Sequence, residues 1–154
     1  IRRVDVFSAA DMHQACLRLQ PDMDIVVMAA AVADYAPLKV SESKIKKNDQ
    51  TFILELTKTK DILKDLGEHK PKNQLLMGFA LETDHEMEHA LDKLHRKHLD
   101  LIVLNSLKDE GAGFGVNTNK ITIIDKSKSA ISFPLKSKML VAADIVDSIE
   151  NHLK

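Results

Sequence analysis

Three sets of residues in this 154-residue chain are of types and spacings that could do chemistry. The richest is the stretch from Met28 to Lys47. It opens as the tail of an apolar run, Asp24-Ile-Val-Val-Met28, and passes through Ala29, Ala30 and Ala31. It then presents the carboxylate of Asp34 and ends with Lys44, Lys46 and Lys47. Small residues where a strand ends let a ligand approach the backbone, and open α/β sheets bind ligands at those ends. Three ammonium groups within four residues suit phosphate. On residue types alone the stretch is either a site for a phosphate-bearing ligand or a solvated loop after a core strand.

The second set is His85, Glu86 and His89, which match the helical spacing of a zinc protease. At about 100° per residue, Met87, Ala90, Leu91 and Leu94 cluster on one side of that helix. The two histidines fall opposite, toward water. A catalytic zinc also needs a third protein ligand and a cleft. Zinc hydrolysis is therefore a remote alternative, and no metal ligand is assigned. The third set is Lys93 and Lys97, four apart on one flank of the same apolar stripe. They either lean toward an anion or lay their stems beside the core, and the residues alone favour the second. Cys16 sits within the apolar face Met12, Ala15, Cys16 and Leu19, with no activating partner nearby, and reads as core.

The elements that must position these groups follow from pattern. Val4–Phe7 reads as a strand. Ser8 is an N-cap with Asp11 three residues on, opening a helix that Pro21 stops. Asp24–Ala31 is a near-continuous apolar run, the mark of a strand covered on both faces. Residues 36–50 read as a long loop or flap, and Thr51–Thr57 alternates as a strand near an edge or arm. A short helix follows over Asp61–Leu66, closed by Gly67. Then come a strand at Gln74–Ala80, an amphipathic helix at Asp84–His98 and a strand at Leu99–Leu104. Gly111–Gly115 is a turn, Lys120–Ile124 and Ala130–Phe133 an antiparallel pair, and Ser137 caps a last helix over Lys138–Leu153. Alternating strands and helices imply a parallel sheet with right-handed crossovers. The fold class is α/β: a three-layer, Rossmann-like parallel sheet with a C-terminal antiparallel extension, in one domain over 1–154. No glycine-rich phosphate turn follows a first strand. Gly111-Ala-Gly-Phe-Gly115 is not one, because it precedes a strand rather than a helix.

With 22 basic and 23 acidic residues the formal net charge is −1, so nothing global points to nucleic acid or an anionic membrane. One cysteine suits a reducing cytoplasm, and no apolar run approaches the roughly 20 residues of a membrane span. Because Ile1 leads directly into strand-like residues, the chain is expected to be part of something longer.

Several motifs occur in order: Ala-Ala-Ala-Val-Ala-Asp-Tyr (29–35), Lys-Ile-Lys-Lys (44–47), Asp-Ile-Leu (61–63), Gly-Phe-Ala-Leu-Glu-Thr (78–83), Lys93 with Lys97, and Asp100-Leu-Ile-Val-Leu-Asn105. Together they resemble the phosphopantothenoylcysteine synthetases, in bacteria usually the C-terminal half of the bifunctional coenzyme A biosynthesis protein. The resemblance implies a ligase acting on 4'-phosphopantothenate, L-cysteine and CTP through an acyl-cytidylate, with Mg2+ held mainly by triphosphate oxygens. FMN enters only if a decarboxylase domain precedes this chain. The family's nucleotide contacts fall on Met28, Ala29, Ala30, Asp34, Lys44, the 60–63 segment (Lys60, Asp61, Ile62, Leu63), Phe79, Lys93 and Lys97. In that scheme the backbone of 28–30 lines the nucleotide and Asp34 accepts a ribose hydroxyl. Phe79 packs on base or sugar, Lys93 and Lys97 meet the triphosphate, and Lys44 stabilises the transition state as the catalytic residue. The resemblance also implies a homodimer, with an arm around residues 40–58 reaching toward the partner. Departures are Lys60 where the family usually has proline, and serine rather than aspartate after Asn105. The family's glycine-rich turn and its Ser-Ser-Gly-Lys region, with an active-site asparagine, have no counterpart here. As given, the chain is expected to bind CTP weakly and not to complete the ligation. The residues themselves leave CTP and ATP both open, and a non-catalytic nucleotide-binding module is the competing reading.

Overall fold

In the computed structural model the residues described are 1–41, 43–45, 51–106, 108–109, 111–113 and 115–154. The chain opens with helix α1 (Ala9–Leu19). The Ser8 hydroxyl accepts from the Asp11 amide, and the Asp11 carboxylate accepts from the Ser8 amide, completing a capping box. Pro21 ends α1 in a 3-10 turn, Gln20–Asp22. There follow β1 (Ile25–Met28), β2 (Tyr35–Pro37), β3 (Leu56–Lys58), α2 (Ile62–Glu68), β4 (Leu75–Glu82), α3 (Glu86–Arg96) and β5 (Leu101–Ser106). The chain closes with β6 (Thr118–Asp125), β7 (Ala130–Ser137) and α4 (Lys138–Leu153).

The main sheet has the order β1-β4-β5-β6-β7. β1, β4 and β5 run parallel, while β6 and β7 extend the sheet antiparallel. Strand alternation splits the core into two layers. Leu76 and Ala80 of β4 and Ile102 and Leu104 of β5 pack with Ile62 and Leu66 of α2 and with Ala90 and Leu94 of α3, and α1 adds Met12, Cys16 and Leu17. On the opposite face Leu75, Met77, Leu101 and Val103 pack against Val141, Ile145 and Ile149 of α4. Each of these fully buried aliphatic side chains contributes on the order of 2 kcal/mol. The three-layer α/β class read from the sequence is the class observed.

Polar ties fasten the layers. His13 Nε2 lies 2.7 Å from the Asp65 carboxylate, joining α1 to α2. The Asp100 carboxylate accepts from Lys70 Nζ (2.6 Å), Lys126 Nζ (2.6 Å) and the Leu76 amide (2.7 Å). Burial works to raise that carboxyl's pKa, but these three donors outweigh it and hold it below the usual carboxylate range.

Several expected elements differ. Val4–Phe7 forms no strand: no segment among the described residues pairs with it, and Phe7 is 99% exposed. β1 is an edge strand covered on one face only, with Ile25 41% and Val27 42% exposed, because α4 does not extend over it. The alternation of 51–57 yields only the three residues of β3, paired antiparallel with β2, itself inside the region read as loop. Residues 51–54 are exposed and lack a partner strand among the described residues, while the Glu55 carbonyl accepts from the Leu38 amide (2.9 Å) just beyond the β2–β3 pairing. Gly67 does not close α2 but lies inside it. A Cβ there would sit 1.9 Å from the Lys97 carbonyl oxygen, so glycine is what lets α2 approach the end of α3. α3 is shorter than expected, ending at Arg96 with Lys97 as its C-cap. Lys46 and Lys47 lie outside the described residues.

Candidate functional site

The C-terminal ends of β1, β4 and β5 converge beside two cavities. The larger, about 600 Å³, is lined by Ala29, Ala30, Ala31, Asp34, Phe79 and Lys93. Asn105 of β5, Gly113, Asn119 of β6, and Lys138, Val141 and Ile145 of α4 complete its wall. The smaller, about 140 Å³, is lined by Met28, Ala30, Asp34, Lys60, Asp61, Ile62, Leu63, Phe79 and Lys97, among others. Ala30, Asp34 and Phe79 border both. Three alanines in the wall are what open this space, since larger side chains after β1 would fill it.

Asp34 is set by the arm. Between β1 and β2 the chain turns, and the Thr59 amide donates to the Asp34 carbonyl (2.8 Å) while the Thr59 hydroxyl donates to the Ala33 carbonyl (2.7 Å). Those two bonds fix the carboxylate-bearing turn to the segment that enters α2. The exposed Asp34 carboxylate receives no hydrogen bond from the described residues. Asp61 N-caps α2 by accepting from the Lys64 amide, and it pairs with Lys97 Nζ at 2.9 Å. Burial works to lift its carboxyl, but the Lys97 hydrogen bond and charge and the Lys64 amide outweigh it and hold the pKa below the ordinary value.

The two lysines of α3 thus serve different cavities. Lys93 lines the larger and bonds to Glu82 at the end of β4. Lys97 lines the smaller, its side chain only 16% exposed. An ammonium has three donors, so each can keep its carboxylate partner and still meet an anion. Lys44 is exposed on the connection between β2 and β3 and lines neither cavity. The other positions that the resemblance assigns to nucleotide contacts (Met28, Ala29, Ala30, Asp34, Lys60, Asp61, Ile62, Leu63, Phe79, Lys93 and Lys97) line one cavity or the other.

Residue types alone did not reveal Asn105, Asn119 and Lys138. Asn105 Oδ1 is buried with no partner, which in a wall beside open space marks a group awaiting a donor. Its signal was an amide closing the apolar run Leu101–Leu104. Asn119 and Lys138 lie too far along the chain for spacing to connect them to β1. The histidine pair does not assemble. His85 precedes α3 in a left-handed conformation (φ 45°), Glu86 is bonded to Ser106, and His89 faces Glu82. No group of three His, Cys, Asp or Glu among the described residues is placed to share a metal ion.

Comparison with known proteins gives a consistent picture. Residues 1–153 match the family described as the DNA/pantothenate metabolism flavoprotein C-terminal domain. The chain is 54% identical over 149 residues to a protein named cysteine/cysteine sulfinic acid decarboxylase from an unknown prokaryotic organism, covering 97% of this chain and 42% of that protein. It is 47% identical over 146 residues to the coenzyme A biosynthesis bifunctional protein CoaBC of Bacillus subtilis (strain 168), covering 95% and 36%. The chain therefore spans about two fifths of the length of these curated relatives. Among solved structures, the C-terminal domain of a CoaBC protein is 42% identical with a TM-score of 0.77, covering 97% of this chain and 67% of that one. A Cab2 mutant in complex with phosphopantothenate-cysteine has a TM-score of 0.72 at 15% identity, covering 97% and 53%, a likeness of fold alone.

Proposed function

The chain belongs to the family of DNA/pantothenate metabolism flavoprotein C-terminal domains, and on that premise we propose that it is the nucleotide-using part of a phosphopantothenate–cysteine ligase of coenzyme A biosynthesis. The observation that carries this is Asp34, a carboxylate with no donor among the described residues, standing where two cavities meet, with lysines in the wall of each: Lys93 and Lys138 in the larger, Lys60 and Lys97 in the smaller. That is a sugar acceptor flanked by phosphate donors at the ends of parallel strands.

In this reading Asp34 takes a ribose hydroxyl of CTP, the backbone of 28–30 and 60–63 lines the nucleotide, and Phe79 packs on base or sugar. Lys93 and Lys97 take the phosphate tail. A carboxylate oxygen of 4'-phosphopantothenate attacks the α-phosphorus, the bond to the β-phosphate bridge breaks, and pyrophosphate leaves. The amine of L-cysteine then attacks the acyl carbon, CMP leaves with the electron pair of the broken C–O bond, and the amine's proton goes to solvent. The protein's part is to align two anions and neutralise charge building on phosphorus. Lys44 lies outside the cavities, so it serves the transition state by moving over them. Mg2+ bound by the triphosphate needs few protein ligands and would neutralise phosphate charge. Asp34 is the nearby carboxylate not engaged by a described side chain, and Asp61 is held by Lys97. FMN belongs in this reading to a decarboxylase domain, and no step here uses it.

A calorimetric panel of CTP, ATP, GTP and UTP with MgCl2 tests the proposal. CTP is expected to bind one per chain and more tightly than the rest. Preference for ATP would reassign the nucleotide, and no binding by any of the four would overturn the reading.

A further inference from the structure

Glu82 ends β4 on the sheet face that α3 covers, and its side chain is only 13% exposed. One carboxylate oxygen meets Lys93 Nζ at 2.5 Å, and the other lies 3.4 Å from Nδ1 of the half-exposed His89. In the sheet register Glu82 stands opposite Ser106, whose hydroxyl is committed to Glu86, so these polar groups do not compete. Burying a carboxylate this far is unfavourable unless it is paired. Lys93 is its partner, and Lys93 is also, with Lys138, one of the two lysines that line the larger cavity.

We propose that Glu82 is a positioning residue for an anion in that cavity. It holds the Lys93 ammonium at the wall, neutralised while the site is empty, with donors left over for a phosphate oxygen. This rests on the reading of the cavity as a phosphate site. A lysine held for nucleotide phosphates by a glutamate from another element is also how protein kinases arrange theirs. Two effects oppose each other when Glu82 loses its charge. Lys93 regains the freedom of a long flexible stem, which weakens binding. Repulsion between the carboxylate and the phosphate also disappears, which strengthens it. The cavity is open to water, which damps the repulsion, so the loss of positioning prevails.

The test is titration of the whole chain with inorganic tripolyphosphate and, in parallel, with CTP. It uses the wild type, Glu82→Gln, Glu82→Asp, Lys93→Met and the Glu82→Gln/Lys93→Met pair, each checked for an unaltered melting transition. Glu82→Gln is expected to weaken tripolyphosphate binding by roughly fivefold, with Glu82→Asp between it and the wild type. In the Lys93→Met background the same change is expected to leave binding unchanged or tighten it, a reversal that a merely structural role would not produce. If Glu82→Gln unfolds the chain, Glu82→Asp and its pairing with Lys93→Met carry the same comparison. Tighter binding by Glu82→Gln alone, equal losses in both backgrounds, no effect of Lys93→Met, or no tripolyphosphate binding at all would overturn the proposal. Tripolyphosphate binding through Lys93 with no added affinity for CTP would sustain Glu82's role and sink the nucleotide reading instead.

Discussion

At the scale of single residues, the site is a carboxylate and two ammonium groups placed by different devices. Asp34 sits on a turn pinned by Thr59, so Thr59→Val should loosen the turn while leaving the carboxylate in place. Asp34→Asn keeps the shape and removes the charge. It is expected to weaken CTP binding by roughly tenfold, the equivalent of one charge-assisted hydrogen bond, with tripolyphosphate binding unchanged. Calorimetry with both ligands separates the sugar contact from the phosphate contact. Lys44→Gln, assayed in the protein's full natural form, is expected to lower turnover by about 100-fold with CTP affinity nearly unchanged, since the role proposed for it is at the transition state. Small residues and a carboxylate at a strand end made Asp34 locally conspicuous, whereas Lys93 and Lys97, which on residue types alone read as stems beside the core, were assigned to phosphate only by the family resemblance. Glu82 was quoted only as part of a motif, because its meaning lies in a contact with α3 that eleven residues of separation do not announce.

At the scale of elements, α2 and α3 are held close by the absence of a side chain at Gly67. Alanine favours a helix interior by about 1 kcal/mol over glycine, so Gly67→Ala would stabilise an exposed helix. Here its Cβ would meet the Lys97 carbonyl. The substitution is expected to cost about 2 kcal/mol in denaturant unfolding and to weaken CTP binding by displacing Lys97. The opposite end of the sheet offers a contrast. Asp100 ties Lys70, Lys126 and the Leu76 amide, away from the cavities. Asp100→Asn is expected to lose about 2 kcal/mol of stability at pH 7, a figure already discounted for partial solvent access, and to leave ligand binding unchanged. Because the folded-state pKa lies below the unfolded value of about 3.9, the unfolded chain takes up the proton first on acidification. The tie is whole above that value and is lost as pH falls through the folded-state pKa. The difference between wild type and Asp100→Asn in acid melts should therefore begin to shrink near pH 4 and vanish only once the pH is below the depressed folded-state pKa. Sequence pattern located α1, α3 and α4 well because each has an apolar face, and β4 and β5 because each is a near-continuous apolar run buried on both faces. It failed where pairing decides the outcome. Val4–Phe7 and Thr51–Thr57 carry strand residues, yet a strand exists only with a neighbour, and 51–54 have none among the described residues.

At the scale of the whole molecule, α1, α2 and α3 cover one face of the sheet and α4 the other, so the strand ends open between layers. That separation explains why β1, reached by α1 and α2 but not by α4, leaves Ile25 and Val27 exposed although its sequence reads as buried on both sides. It also explains why Asn105, Asn119 and Lys138 were missed. Asn105 reaches the larger cavity from the end of parallel β5, and Asn119 and Lys138 are brought there by the antiparallel extension and the helix that follows it rather than by proximity in sequence. The family motifs did foretell the ends of β1, β4 and the entry to α2. A structure of the chain crystallised with CTP and MgCl2 tests the account most directly. The expected result is one nucleotide across both cavities, a ribose hydroxyl within hydrogen-bond distance of Asp34 and the phosphates in contact with Lys93 and Lys97. A nucleotide bound away from Asp34, or with its phosphates facing neither lysine, would contradict it.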